Sequence, residues 1–128
     1  MKRVIDAVQW QVDHFEEVPV LVVPCLRGTR LLNVLPVAQS SHFGSIYPAI
    51  QNFLLACRAE GLGAALTTLP LWSNTLARLA LGLPWNVQPC AVIPVGWPTG
   101  RYGPTTRKPS AKVVHYDRWG NRRTADPE

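Results

Sequence analysis

The sequence predicts an α/β fold in which helices cover a β-sheet. Segments with helical periodicity alternate with short apolar runs in the order helix–strand–helix–strand–helix–strand–strand, which is the pattern of a layered α/β domain. The 128 residues suffice for one domain with one hydrophobic core. Apolar residues make up 47% of the chain and charged residues 16%. This composition excludes a disordered chain, which combines low hydrophobicity with high charge.

The N-terminal third is predicted to contain a helix, a strand and a long loop. Apolar residues recur at helical spacing over residues 3–16, which predicts an amphipathic helix. Residues 18–25 form a β-branched run that is apolar on both faces, as expected of a strand covered by helices on each side. Residues 26–43 lack periodicity and are predicted to be a loop. A loop of this length in a compact domain is often functional.

A second helix is predicted to begin after Ser45, whose hydroxyl is suited to cap it. Pro48 would lie in the first turn, where its missing N–H costs least. Gly61 is positioned to end this helix, because glycine adopts the left-handed conformation that follows many helices.

The C-terminal half is predicted to contain one more helix and three short strands. The strands are expected at residues 63–69, 90–95 and 112–116, and the helix at 71–81. Residues 97–110 carry three prolines and two glycines, which predicts an extended connection.

Basic residues are concentrated near the C-terminus. The net charge is +5; residues 101–128 hold seven basic and three acidic residues, so this segment accounts for +4 of it. A nucleic-acid-binding surface needs a broader basic face with interleaved exposed aromatic residues. We therefore expect no nucleic-acid partner, although an anion-binding tail remains an open alternative.

The cysteines indicate neither a zinc site nor a disulfide framework. Cys25, Cys57 and Cys90 lie far apart and form no C-x-x-C pair, whereas structural zinc sites use closely spaced ligands. Three buried thiols are typical of a reducing compartment. The sequence shows no signal-peptide pattern, and no uncharged stretch is long enough to span a membrane. We expect a soluble, cytoplasmic protein without a membrane partner or a metal.

No motif identifies a catalytic side chain. The G-x-G-x-x-G, P-loop and G-x-S-x-G patterns are all missing from the sequence. The small residues at 63–65 would let a ligand approach the backbone closely, but they are also compatible with a tight turn from helix to strand. Arg107 could bind a phosphate or belong to a solvated tail. Trp72 and Trp97 could form the walls of a pocket or pack in the core.

Four collinear segments resemble the FMN-dependent nitroreductase family. The longest runs from Ser45 to Leu69 and resembles the central helix and following strand of that family. The sequences HFEEVPVLVV from His14, AVIPVGWP from Ala91 and RKPSAKVVHYDRW from Arg107 resemble two further strands and the C-terminal arm. The resemblance covers about the C-terminal three-fifths of a full member. The Arg/Ser-rich N-terminal segment, which supplies most flavin phosphate contacts in the family, has no counterpart.

This resemblance implies a three-layer α/β (α+β) fold with a central mixed sheet flanked by helices. Residues 1–128 would form a single domain, truncated relative to the family, in which residues 97–128 are a C-terminal arm. It also implies an intertwined homodimer, in which the strand at residues 112–116 crosses to the partner's sheet.

The same resemblance implies an FMN-dependent oxidoreductase that passes hydride from NAD(P)H to a nitro compound or quinone. Arg107 would hold the flavin phosphate, and the loop at residues 26–43 would be a lid whose His42 and Phe43 contact the substrate. The alternative is a non-catalytic remnant that dimerises without binding flavin. The isoalloxazine would lie along five consecutive residues: Ala65, Leu66, Thr67, Thr68 and Leu69.

Overall fold

The computed structural model of the chain describes residues 2–28, 36–101, 103 and 106–122. Three α-helices, five short β-strands and three single-turn 3₁₀ helices lie along these segments. The helices are α1 (Lys2–Asp13), α2 (Pro36–Ala59) and α3 (Asn74–Ala80). The strands are β1 (Val20–Val22), β2 (Cys25–Arg27), β3 (Gly63–Ala64), β4 (Val87–Pro89) and β5 (Ile93–Gly96). The 3₁₀ helices span Phe15–Glu17, Leu69–Leu71 and Ser110–Lys112.

The strands form two small sheets. One has the order β1-β5-β3, so that β5 is central, and the other pairs β2 with β4. All of these pairs are antiparallel. The layered α+β architecture is therefore confirmed, whereas the mixture of parallel and antiparallel strands is not observed among the described residues.

The hydrophobic core lies between α2 and one face of the three-stranded sheet. Ile46, Ile50 and Cys57 of α2 pack in one buried cluster with Ile93 and Val95 of β5. Because side chains alternate along a strand, the residues of β5 between them lie on the opposite face of the sheet. That opposite face is only half-buried, and α1 lies over it.

Helix α2 begins earlier than the sequence predicts. The loop prediction for residues 26–43 is wrong from Pro36 onward, and its residues 29–35 lie outside the described part. Ser45 is not a cap, because its hydroxyl donates to the carbonyl oxygen of Ser41 at 2.9 Å, a bond between successive turns of one helix. Pro48 therefore lies inside the helix rather than in its first turn. Burial of the Ile46 and Ile50 side chains holds this helix together despite the missing N–H.

The predicted end of α2 is confirmed. Gly61 has φ = +78°, in the left-handed region. The N–H of Leu62 donates to the carbonyl of Cys57 at 2.8 Å, and the N–H of Gly61 donates to that of Arg58 at 3.2 Å. This pair of bonds satisfies the last carbonyls of the helix and turns the chain directly into β3.

One predicted strand is divided between the two sheets, and another is shortened. The run at residues 18–25 becomes β1 and the start of β2, because the chain leaves the first sheet at Pro24, which has no N–H to donate to a ladder. The run at residues 90–95 contributes to β5 only, from Ile93 onward, and the separate strand β4 precedes it. Val20 and Leu21 are 52% and 44% exposed, so β1 is not covered on both faces in this chain.

The strand predicted at residues 112–116 is wrong for the described chain. Ser110–Lys112 forms a 3₁₀ turn, and the next two residues, Val113 and Val114, are exposed. A strand needs a partner for its N–H and C=O groups, and no described strand of this chain pairs with this segment.

Helix α3 is shorter than the predicted 71–81. Ser73 caps it by accepting a hydrogen bond from the N–H of Leu76 at 3.4 Å. Gly82, with φ = +60°, follows its end. Arg78 of α3 donates hydrogen bonds to the carbonyl oxygens of Pro84 and Val87, which attaches the helix to β4.

Candidate functional site

One candidate site among the described residues is a wide cleft of about 560 Å³ between α1 and the open face of the three-stranded sheet. Its floor consists of β3 and β5 and carries little side-chain bulk. Gly63 lies opposite Gly96 in the strand register, so two neighbouring strands leave bare backbone at the same place. A Cβ atom added at Gly96 would lie 3.2 Å from Cδ of Pro19. The ring of Pro19 therefore bounds that end of the floor.

Two stacked rings of α1 form one wall of this cleft. The ring centroids of Trp10 and His14 lie 4.4 Å apart with an interplanar angle of 15°. His14 Nδ1 lies 2.8 Å from the carbonyl oxygen of Trp10. Because a carbonyl oxygen only accepts hydrogen bonds, Nδ1 carries the hydrogen, which leaves Nε2 of the neutral ring as an acceptor. The wall therefore offers an aromatic surface beside a hydrogen-bond acceptor.

The opposite rim of the wide cleft is formed by the chain that follows β5. Trp97 is 78% exposed and lines the cleft. Arg101 also lines it, and its guanidinium makes no hydrogen bond or ion pair with another described residue. Glu17 is the one carboxylate among the lining residues. The cleft thus combines aromatic walls with one arginine, Arg101, that has no hydrogen-bond or ion-pair partner among the described residues.

A second, narrower cleft of about 370 Å³ lies beside the first. Gln11 lines both clefts, and most of the remaining lining of the narrow one is apolar. The run 65–69 passes between them: Ala65 borders the wide cleft, whereas Thr67 and Leu69 border the narrow one.

The backbone of this run has both used and unused hydrogen-bond donors. The N–H of Thr67 donates to the carbonyl of Val92 at 2.9 Å, and the N–H of Val92 donates back at 2.8 Å. The N–H groups of Leu66 and Thr68 make no hydrogen bond with a described residue. Since N–H groups alternate in direction along an extended chain, these two lie toward the edge of the sheet at which β3 pairs with no other described strand. A planar ligand with acceptor atoms can bind there.

The structure brings together only some of the residues predicted from the sequence. Ala65 and Trp97 line the wide cleft, and Thr67 and Leu69 line the narrow one, whereas Leu66 and Thr68 line neither. Trp72 is 91% exposed and lines neither. Arg107 lines neither cleft and donates a hydrogen bond to the carbonyl of its neighbour Thr106 at 3.1 Å.

The predicted substrate contacts lie on α2 rather than on a loop. His42 and Phe43 are half-buried, and Phe43 packs against the core and stacks with Tyr47 at a centroid distance of 5.8 Å. Neither side chain borders the wide or the narrow cleft.

Sequence reasoning missed Trp10, His14 and Arg101 as lining residues. The four-residue spacing of Trp10 and His14 on a predicted helix is a signal that the two rings can meet. The position of Arg101 depends on where β5 ends, which periodicity does not determine.

The thiols are not part of either cleft. Burial raises the pKa of the Cys25 and Cys90 thiols above the ordinary value, so both favour the neutral form. Within the described residues, no three potential metal-ligating side chains come together. None of the described helices combines the length and apolar character that crossing a membrane requires.

Comparison with known proteins identifies a related family and two similar structures. The model of the nitroreductase family matches residues 2–97. A candidate NADH dehydrogenase/NAD(P)H nitroreductase from Parabacteroides distasonis is 29% identical and superposes with a TM-score of 0.60. The match covers 77% of this chain but 55% of that protein, so the chain spans about half its length.

A second similar structure has the same fold. This candidate NADH dehydrogenase/NAD(P)H nitroreductase from Bacteroides thetaiotaomicron is 21% identical, with a TM-score of 0.54. The match covers 89% of this chain and 85% of that one.

Proposed function

We propose that this chain, which belongs to the nitroreductase family, is an FMN-dependent oxidoreductase that transfers hydride from NAD(P)H to nitro compounds or quinones. The observation that carries this proposal is the run 65–69, of which Ala65 borders the wide cleft and Thr67 and Leu69 border the narrow one. The free thiols are consistent with a cytoplasmic location, which stays a prediction.

The residues of the run suit a planar cofactor. When bound, flavin accepts a hydride and returns two electrons to a second substrate, so the protein supplies binding and orientation. The N–H of Leu66 or Thr68 would donate to an acceptor atom of the ring, whereas the N–H of Thr67 is already used by Val92. The small side chain of Ala65 would let the ring approach the backbone. We assign no catalytic role to a side chain.

For the phosphate we retain Arg107 as the proposed ligand. Its guanidinium is exposed and binds only its neighbour's carbonyl among the described residues, so it is available for an anion. His42 and Phe43 remain proposed substrate contacts.

Thr68→Pro is expected to raise the Kd for FMN at least about tenfold, because it removes one of the two candidate donors. Thr68 has φ = −118°, whereas proline requires a value near −65°, so the backbone of the run would also shift. Thr68→Ala keeps the N–H and should bind FMN within about twofold of the wild type. The visible spectrum of the protein during titration with FMN measures both. Equal affinities for the proline and alanine variants would contradict the donor assignment, and no binding at micromolar FMN would contradict a flavin enzyme.

We further propose that the chain forms a homodimer. Large apolar side chains on α2 and in the C-terminal arm are exposed, among them Leu55, Val113 and Trp119 at 58%, 55% and 91%. Exposed apolar side chains of this size commonly become buried against a partner. Light scattering coupled to size exclusion should therefore give twice the chain mass at micromolar concentration. A monomer mass that persists as the protein is concentrated would contradict this.

One observation favours the alternative of a flavin-free remnant: Arg107 lines neither cleft of the described chain. The two experiments above distinguish the alternatives, because a dimer that binds no FMN is the remnant, and a dimer that binds FMN is the flavoprotein.

A further inference from the structure

The segment around α3 exposes large apolar side chains that belong to neither cleft. Trp72 and Trp85 are 91% and 67% exposed. Between them, Leu76 and Leu79 of α3 are 66% and 73% exposed. Because these two leucines are three residues apart, they lie on the same face of the helix. The four side chains form the α3 patch, and none of them lines the wide or the narrow cleft. Exposed apolar side chains grouped in this way mark a surface that binds a partner.

Polar side chains next to the α3 patch are used within the chain. The hydroxyl of Ser73 accepts a hydrogen bond from the N–H of Leu76 at 3.4 Å. Arg78, the one charged residue between Trp72 and Trp85, donates to backbone carbonyl oxygens of the segment that follows α3. The patch therefore offers a partner mainly apolar side chains. A protein interface needs about one hydrogen bond per 100–200 Å², whereas the interior of a bilayer needs none from such side chains.

The elements that carry the α3 patch have no negative charge. Residues 18–116 contain eight basic residues and one acidic residue, Glu60, so their net charge is +7. No acidic residue occurs in α3, in β2 and β4, or in the turn at residues 81–86. Arg27 is exposed on β2, and its partner in the strand register is Val87, two residues after Trp85. A cation thus lies near one end of the patch, which complements an anionic surface.

The two tryptophans favour a bilayer as the partner. An indole has an apolar body and a polar N–H, so tryptophan is enriched at the boundary between lipid headgroups and acyl chains. Trp72 precedes α3, and Trp85 follows it, so that an aromatic ring flanks the leucines of the helix on each side along the chain. Contact with a bilayer surface needs no spanning segment. The expectation of no membrane partner rests on the lack of such a segment in the sequence, so it does not exclude this contact.

We propose that the α3 patch binds the surface of an anionic lipid bilayer. Its two tryptophans and two leucines insert below the headgroups, and Arg27 binds a lipid phosphate. The homodimer proposed above uses apolar side chains of α2 and the C-terminal arm, so the patch remains exposed in that dimer. Membrane binding is independent of flavin binding and of the proposed function.

Cosedimentation of the full chain with lipid vesicles at physiological ionic strength tests this proposal. Anionic vesicles contain equal parts of phosphatidylcholine and phosphatidylglycerol, and neutral vesicles contain phosphatidylcholine alone. We expect binding to the anionic vesicles to be at least about tenfold tighter. Trp72→Ala and Leu79→Gln should each weaken this binding about tenfold, because each removes an inserted apolar side chain. Arg27→Ala should weaken it about fivefold, because one charge near the lipid phosphates is lost.

Two substitutions in the C-terminal arm are matched controls. Trp119 is as exposed as Trp72, at 91%, and Arg118 is an exposed arginine of the same arm. Trp119→Ala and Arg118→Ala should bind vesicles within about twofold of the wild type. All the substituted side chains are exposed, so the far-ultraviolet circular dichroism of each variant should match that of the wild type. Light scattering should give the same mass for Leu79→Gln and the wild type.

The proposal is overturned if the chain binds neither kind of vesicle at millimolar lipid, or if it binds both equally. It is also overturned if Trp119→Ala or Arg118→Ala weakens binding as much as the substitution that it controls, since the contact would then belong to the basic C-terminal arm. A lower mass for Leu79→Gln would overturn it as well, because the patch would then join two copies of the chain. Titration with FMN is a separate measurement, so failure of the proposed function leaves the vesicle result unaffected.

Discussion

Replacing Ile93 with alanine is expected to lower the free energy of unfolding by about 2–5 kcal/mol. Ile93 is 0% exposed and is the largest fully buried side chain among the described residues. It lies on the central strand β5 and packs in the cluster that joins the sheet to α2. Truncation would remove its apolar contacts and leave a cavity that the flanking strands cannot fill without moving.

Urea unfolding followed by far-ultraviolet circular dichroism measures this loss. The matched control is Leu79→Ala on α3, where the side chain is 73% exposed and the expected change is below about 0.5 kcal/mol. If Ile93→Ala does not fold, Ile93→Val should still fold and lose about 0.5–1.5 kcal/mol. Similar losses at positions 93 and 79 would contradict the assignment of the core.

Replacing Arg78 with alanine is expected to cost about 2–4 kcal/mol, because two hydrogen bonds from a charged donor are lost. Arg78 is half-buried and reaches the carbonyl oxygens of Pro84 and Val87 from α3. These bonds connect the helix with the turn before β4. Without them, we expect α3 to separate from the sheet before the rest of the chain unfolds.

Two further variants, Arg78→Lys and Arg27→Ala, test whether the two hydrogen bonds of Arg78 cause the loss of stability. A lysine keeps the charge but not the planar fork, so it should recover at most about half of the loss. Arg27 is an exposed arginine on the neighbouring strand β2, and its removal should change the unfolding free energy by less than about 0.5 kcal/mol. Hydrogen exchange should show faster amide exchange in α3 for Arg78→Ala. A loss of stability equal to that of Arg27→Ala would indicate that the two bonds contribute nothing.

Sequence patterns predicted the parts of the fold that local chemistry determines. The end of α2 follows from Gly61, whose positive φ any other residue would adopt with strain. The small residues at 63–65 led to the run that borders both clefts. The start of α2 could not be predicted in the same way, since Ser45 is equally suited to cap a helix or to bond to the preceding turn, as it does.

Sequence patterns could predict a site only where its residues are neighbours in the sequence. The wide cleft brings together Trp10, Gly63 and Arg101, which are separated by more than thirty residues at each step. Their meeting depends on the register of β3 against β5, which no local pattern specifies. The strand expected at residues 112–116 is not formed in the described chain for a related reason, because a strand needs a partner for its N–H and C=O groups.

The strand β5 links the stability of the protein to its candidate site. Ile93 and Val95 anchor one face of this strand in the core, while Pro94 and Gly96 on its other face form part of the cleft floor. A substitution that loosens the core is therefore expected to disturb the floor as well.

The strand β1 is an outer strand of its sheet, and prolines lie at both of its ends. Pro19 directly precedes its three residues, and Pro24 follows them after one intervening residue, Val23. A strand from another molecule could therefore form hydrogen bonds with only about 10 Å of the β1 backbone, since prolines do not continue a hydrogen-bonded ladder. Although Val20 and Leu21 are partly exposed, this edge is a poor template for fibril growth.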